Sequence, residues 1–225
     1  FMSIIKRINC FILILFFLSL QILFAQDATI YLWKDVKGMK NEPSVMFMHK
    51  AKKTEKINQK TPCVIICPGG SYHHLGLYNE GFCSAKWFSE NGFTAFMLKY
   101  RTNESFYNHP AMLEDIQRAI QIVRENAQEF GIDENKVGVI GYSAGGHLVL
   151  SGVTLRQLPL TFVAPIYPVV TMNGKYVHKR SRRALLGDNR KNNRRLRDSL
   201  SIEHHISASC PPVFLVNCKD DPIVK

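Results

Sequence analysis

One serine stands where it can act as a nucleophile. Gly141-Tyr142-Ser143-Ala144-Gly145 fits G-x-S-x-G and lies between an apolar run, "KVGVIGYS", and a helical pattern from Ala144 to Thr154. In such a junction the chain turns sharply from strand to helix. Ser143 is held in a strained conformation with its hydroxyl exposed. Side chains two positions to either side would collide with neighbouring backbone, so glycine is required at 141 and 145. The helix N-terminus behind Ser143 favours developing negative charge. The chemistry implied is attack on a carbonyl carbon.

Attack on a carbonyl needs donors for the oxyanion. Pro68-Gly69-Gly70-Ser71-Tyr72 directly follows the apolar run Cys63 to Cys67. A glycine-rich loop there lets backbone N–H groups approach the substrate. The expected hole combines the Ala144 N–H with that of Gly70 or Ser71, each donor contributing about 3–4 kcal/mol to the transition state. Tyr72, His73 and Tyr142 are the candidate substrate contacts. Further on, Lys219-Asp220-Asp221-Pro222 follows the run Val213 to Cys218. Catalytic groups of open parallel sheets gather at the carboxyl ends of strands. On position alone either aspartate could orient a histidine.

These groups need a scaffold. Five short apolar runs, "CVIICPGG", "FTAFMLKYR", "KVGVIGYS", "FVAPIYPVV" and "PVFLVNC", alternate with helical patterns. Continuous apolar runs suit parallel strands covered on both faces. Pro110 to Phe130 places Met112, Ile116, Ala119, Ile120, Val123, Ala127 and Phe130 on one helical face, and Gly131 suits its stop. Glu80 to Asn91 reads as a second helix. This order predicts an α/β fold, a doubly wound, mostly parallel sheet. "ATIYLW" and "PSVMFMHK" read as antiparallel edge strands, and Lys50 to Thr61 as a polar connection.

The first 25 residues read separately, as a secretory signal peptide from Met2 to Ala25. Lys6 and Arg7 precede an almost wholly apolar stretch, and Ala25 is small at the cleavage point. The alternative is an uncleaved anchor, for which the apolar run is short. A secreted or periplasmic location follows, with residues 26–225 as one domain. Cleavage leaves five of six cysteines. Cys63 and Cys67 face the same way on a strand but lie about 13 Å apart, too far to bridge; buried free thiols are expected. Net charge is +11, and Lys175 to Arg197 holds ten Lys or Arg and one Asp. A surface for an anionic polymer is one reading, a solvated loop and helix face the favoured one; an exported protein seldom meets nucleic acid. No metal or organic cofactor is implied, and oligomeric state is not legible.

Several motifs agree in order and spacing with one family. "CPGGSYHHL", "EGFCSAKWFSENGFTAFMLKYR", "HPAMLEDIQRAI", "GYSAGGHL", "SRRALLG" and "CPPVFLVNCKDDPIV" cover most of Thr61 to Lys225. The chain resembles α/β-hydrolases of the acetyl-esterase/lipase type, close to secreted carbohydrate esterases and feruloyl-esterase-like domains. The resemblance implies Ser143 as nucleophile and Asp221 as acid. It also implies short acyl or aryl esters, of plant cell-wall polysaccharide, as substrates. Ser71 stands where such families often have a third glycine, and Asn217-Cys218 where His-Gly is usual.

The triad order of these hydrolases is Ser, Asp, His. No histidine follows Asp221 here. His147 lies one turn beyond Ser143 and reads as a packing or wall group. His204 and His205 precede the run at Val213, about 20 Å from its acid end. His73 and His74 are the candidate stand-ins. His49, His109 and His178 have nothing in their favour. The expectation is a truncated fold without its final strand, histidine loop and helix. A chain of this length would be nearly inactive, and Val213 to Cys218 would form an uncovered apolar edge. The rival readings are a serine peptidase of the prolyl-oligopeptidase type and a non-catalytic polysaccharide-binding relative.

Overall fold

The computed structural model describes residues 26–52 and 60–224. The strands are β1 Ala28–Tyr31, β2 Val45–His49, β3 Thr61–Cys67, β4 Thr94–Lys99, β5 Ile132–Tyr142 and β6 Val163–Ile166. The helices are α1 Cys83–Glu90, α2 Ala111–Glu125, α3 Ala127–Phe130, α4 Ala144–Leu155, α5 Lys179–Leu186 and α6 Arg194–Ser199. One sheet has the order β1-β2-β4-β3-β5-β6. The two N-terminal strands pair antiparallel, and β4, β3, β5 and β6 run parallel.

Strand pleating divides the core in two. Cys63, Ile65 and Cys67 of β3 point toward α2 and α4, where they meet the cluster containing Met112, Ile116, Leu148 and Val149. Val64 and Ile66 point the other way, into a cluster with Ala85 of α1, Ala95, Met97 and Ile140. Both faces of the central strands are thus dry, which explains their unbroken apolar sequence. The doubly wound α/β sheet expected from the sequence is present.

Three elements differ from the expected ones. A π-helical turn, Leu77–Phe82, precedes α1, so the second helix has two geometries. The long helix breaks at Asn126, whose side-chain amide donates to the Ile122 carbonyl at 2.8 Å. It resumes as α3 and stops at Gly131, left-handed at φ +70°. The run after Pro212 lies parallel to β6, with Val163 N–H donating to Pro212 O at 3.0 Å and Phe214 N–H to Val163 O at 2.9 Å. It makes only the isolated bridges Val163–Val213 and Ile166–Val216. Phe214 and Leu215 remain 65% and 56% exposed.

The basic run builds α5, a loop and α6. Its cations are partly spent locally: Arg183 and Lys191 both pair with Asp188, while Arg182 and Arg190 donate to backbone carbonyls. The five described cysteines are free. Cys63 and Cys67 are fully buried, and burial pushes the Cys63 thiol up to about 12, so both remain unreactive thiols. The expected signal segment and most of the Lys50–Thr61 connection lie outside the described residues. Among the described residues no helix is long and apolar enough to cross a membrane.

Candidate active site

Parallel register brings the first two motifs together. Cys67 at the end of β3 pairs with Gly141 on β5, and Tyr142 pairs with Ile166 at the end of β6. The chain leaving β3, Pro68 to Ser71, therefore emerges beside the chain leaving β5, Ser143. A Cβ placed on Gly69 would stand 3.0 Å from the Ser143 Cβ.

Ser143 has φ +52° and ψ −114°, a strained backbone for a non-glycine residue. The packing around it enforces that conformation. A Cβ at Gly141 would lie 2.2 Å from Gly145 O, and one at Gly145 would lie 2.1 Å from Cys67 O. The Ser143 peptide is pinned on both sides: its N–H donates to Ile166 O at 2.9 Å and its C=O accepts from Val169 N–H at 3.1 Å. The residue is half-buried, and among the described residues its hydroxyl has no hydrogen-bond partner.

The expected oxyanion donors are unspent. Among the described residues the N–H groups of Gly70, Ser71 and Ala144 donate to no backbone or side-chain acceptor. The Gly69 N–H is taken by Glu80 Oε2 at 2.6 Å, which removes it from the set. The loop itself is firmly held. Gly70 O accepts from His73 and His74 N–H at 3.0 and 3.1 Å, and Gly76 N–H donates to Gly69 O at 2.9 Å. Ser71 and Tyr72 both take positive φ, near 60°, the conformation a third glycine would adopt without strain.

The candidate substrate contacts fare unequally. Tyr72 is a correction: its ring is 1% exposed, and its hydroxyl lies 2.7 Å from His147 Nδ1. The positive φ at Tyr72 turns the ring inward, where it packs on Tyr100 and His147. His147 is a packing group and no cleft wall. It is buried, its Nε2 lies 2.8 Å from Leu200 O, and burial lowers its pKa to about 4. The imidazole is therefore neutral, with Nε2–H donating to the carbonyl and Nδ1 accepting from Tyr72. Tyr142 is half-buried with its hydroxyl 2.8 Å from Ser84 Oγ, among the side chains of the second core cluster. His73 is half-buried on the glycine loop, with its Nδ1 enclosed and unpartnered among the described residues.

At the acid end, Asp221 Oδ1 accepts from Ile223 N–H at 2.8 Å and Val224 N–H at 2.9 Å. These bonds, made by its own turn, hold the Asp221 carboxyl below the usual carboxylate range. Among the described residues the Asp220 carboxylate has no such partners. His178, which sequence reading set aside, caps α5: its Nδ1 accepts from Ser181 N–H at 3.4 Å and lies 2.7 Å from Ser181 Oγ. Sequence reasoning passed over Glu80. Its two bonds, to Gly69 and to the Tyr167 hydroxyl at 2.8 Å, carry no motif.

A strained serine between β5 and α4, faced by a glycine loop at the end of the adjacent parallel strand, defines an α/β-hydrolase. The chain belongs to the BD-FAE family, whose model matches residues 50–225. It is similar to an acetylxylan esterase from Xylanibacter ruminicola, 29% identical over 170 residues, covering 74% of this chain and 35% of that protein. It is also similar to endo-1,4-beta-xylanase B from Butyrivibrio fibrisolvens, 32% identical over 181 residues, covering 73% of this chain and 28% of that one. The chain thus spans about a third of these curated relatives' length. Among solved structures it resembles an acetyl ester-xyloside bifunctional hydrolase from Caldicellulosiruptor lactoaceticus. That match has TM-score 0.77 and 30% identity, covering 90% of this chain and 78% of that chain.

Proposed function

We propose that this protein is a serine carboxylic-ester hydrolase acting on short acyl or aryl esters of plant cell-wall polysaccharide. The observation that carries the reading is the cluster of unspent amides at Gly70, Ser71 and Ala144 around the unpaired Ser143 hydroxyl. The glycine loop lies against the serine, a Cβ on Gly69 standing 3.0 Å from the Ser143 Cβ, and amides left unpaired beside a strained serine suit an oxyanion. The names of the similar acetylxylan esterase and acetyl ester-xyloside hydrolase support a carbohydrate ester as substrate.

In the proposed reaction Ser143 Oγ bonds to the ester carbonyl carbon as its proton passes to a histidine oriented by Asp221. The carbonyl oxygen gains the negative charge and accepts from the Ala144 amide and from Gly70 or Ser71. Collapse expels the sugar alkoxide, which takes the proton from the histidine, and leaves an acyl-Ser143. Water then repeats the sequence and releases the acid. The order Ser, Asp, His of this class puts the histidine after Asp221. A polypeptide ending at Lys225 should therefore turn over p-nitrophenyl acetate at least ~10³-fold slower than one carrying that histidine. Comparable rates for the two would discard this assignment. Residues Met2 to Ala25 are proposed as its secretory signal.

The test is labelling of the full-length protein by an organophosphate, followed by peptide mapping. Label on Ser143, with release of acetate from acetylated xylan and none of p-nitroaniline from aminoacyl anilides, supports the reading. Cleavage of the anilides instead would point to the peptidase class. Binding of xylan with no label on Ser143 would point to a non-catalytic relative.

A further inference from the structure

The oxyanion loop contains two consecutive glycines, and Gly70 sits at φ +128°, open only to glycine. Such a segment has the greatest conformational freedom of any backbone, so its amides keep a fixed direction only if clamped. Three of its clamps are backbone bonds within the loop, and Asn103 and Glu104 N–H hold the Tyr72 and His73 carbonyls from outside at 2.9 and 3.0 Å. The clamp on the Gly69 amide is a side chain. Glu80 Oε2 accepts from Gly69 N–H at 2.6 Å, and Glu80 Oε1 accepts from the Tyr167 hydroxyl at 2.8 Å. Tyr167 follows β6, stands at φ +37°, and its N–H donates to Val216 O at 2.6 Å. One carboxylate thus ties the loop after β3 to the loop after β6, across the strand that ends in Ser143.

The surroundings are shaped for this carboxylate. A Cβ on Gly69 would stand 2.9 Å from Glu80 Oε2, and a Cβ on Gly76 would stand 3.0 Å from the same atom. Either side chain would displace it. The π-helical turn Leu77–Phe82 carries Glu80 over Gly76, where its N–H donates to Gly76 O at 3.3 Å. Short π segments occur often at functional sites.

We propose that Glu80 is a positioning residue for the oxyanion hole, its carboxylate holding the Gly69 peptide so that the Gly70 and Ser71 amides aim at the reacting carbonyl. This rests on Ser143 being the nucleophile. The negative charge of Glu80 itself works against an oxyanion forming nearby, because like charges repel. The contribution is therefore geometric, with the charge shared between two donors. Glutamine preserves that geometry: its carbonyl oxygen accepts from Gly69 N–H, and its amide donates to the Tyr167 oxygen.

The experiment compares Glu80→Gln, Glu80→Asp and Glu80→Ala in the full-length protein, with rates on p-nitrophenyl acetate divided by organophosphate-titrated serine. Glu80→Ala is expected to lower kcat about 30- to 100-fold while KM moves less than about threefold. Glu80→Asp, one methylene too short to reach both donors, should lose about tenfold in kcat and covers the case in which the alanine variant does not fold. Glu80→Gln should stay within about threefold of wild type. The inference is overturned if kcat per titrated serine survives in the aspartate and alanine variants, since the residue is then only structural. It is equally overturned if Glu80→Gln falls as far as Glu80→Ala, since the charge and not the geometry is then what matters. Wild type that fails to label at Ser143 refutes the nucleophile assignment instead, a separate outcome.

Discussion

The two ends of the proposed site are built differently. Around Ser143 the backbone is strained and enclosed: glycines at 69, 70, 141 and 145 leave no room for a Cβ, and the serine peptide is bonded on both sides. Around Asp221 the chain is open: the segment before it touches β6 through two bridges, and Val213 to Val216 are between 40% and 65% exposed. Among the described residues the aspartate carboxylate is held by its own turn. Strain persists only where packing over-determines it, so the turn at Ser143 is held in one conformation by its surroundings. The acid end has a preformed turn but little around it.

The sharpest break in that comparison is chemical. Ser143→Ala in the full-length protein should cut kcat/KM on p-nitrophenyl acetate by at least about 10³-fold, because the proposed reaction then has no attacking hydroxyl. Residual activity near wild type would move the nucleophile elsewhere.

Next comes packing. Gly145→Ala puts a methyl 2.1 Å from the Cys67 carbonyl oxygen and 2.6 Å from that of Pro68, both backbone atoms. A loss of about 3 kcal/mol or more in urea unfolding, or failure to fold, is expected. Gly174→Ala, with nothing within 4 Å but φ +67°, should cost only about 1 kcal/mol. Equal losses would mean that the Cys67 and Pro68 backbone gives way, and that crowding does not enforce the elbow.

A third test uses pH. His147 titrates near 4 when folded, against 6.5 unfolded, because burial disfavours its charge. Between those values the unfolded chain binds a proton that the folded one does not, so stability falls as pH drops. The contribution is complete above about pH 7 and its loss amounts to about 3 kcal/mol by pH 4. Unfolding midpoints of wild type and His147→Gln across pH 4.5–7.5 check this; parallel curves would show that the imidazole does not carry the effect.

The smallest effect belongs to the open end. Leu215→Thr should change stability by less than about 0.5 kcal/mol, since the side chain is 56% exposed. It should lower binding of a hydrophobic dye and slow aggregation, since an apolar edge is made more polar. A large destabilisation would show that this segment is packed after all.

Much of this was readable before any coordinates. The sharp turn at Ser143, the glycine loop, the parallel sheet and the buried cysteines follow from local patterns with a single physical solution: two glycines flanking a serine after an apolar strand, and unbroken apolar runs needing cover on both faces. Tyr72, His147 and Glu80 were not readable, because their roles depend on direction. A tyrosine next to a glycine loop could face cleft or core, and its positive φ decided for the core. A histidine four residues past the serine could line the pocket, but the Leu200 carbonyl, brought back from far along the chain, captured it. Glu80 belongs to an ordinary-looking helix whose π turn no residue type announces.

The sequence by itself determined where strain must be stored and which faces must be dry, because steric exclusion and hydrophobic burial act through local pattern. Only the tertiary structure decided which polar groups spend their hydrogen bonds on one another and which remain free. Those choices are made between residues tens of positions apart, by the register of neighbouring strands. Cys67 opposite Gly141 put the loop beside the serine, and Glu80 took the Gly69 amide and the Tyr167 hydroxyl.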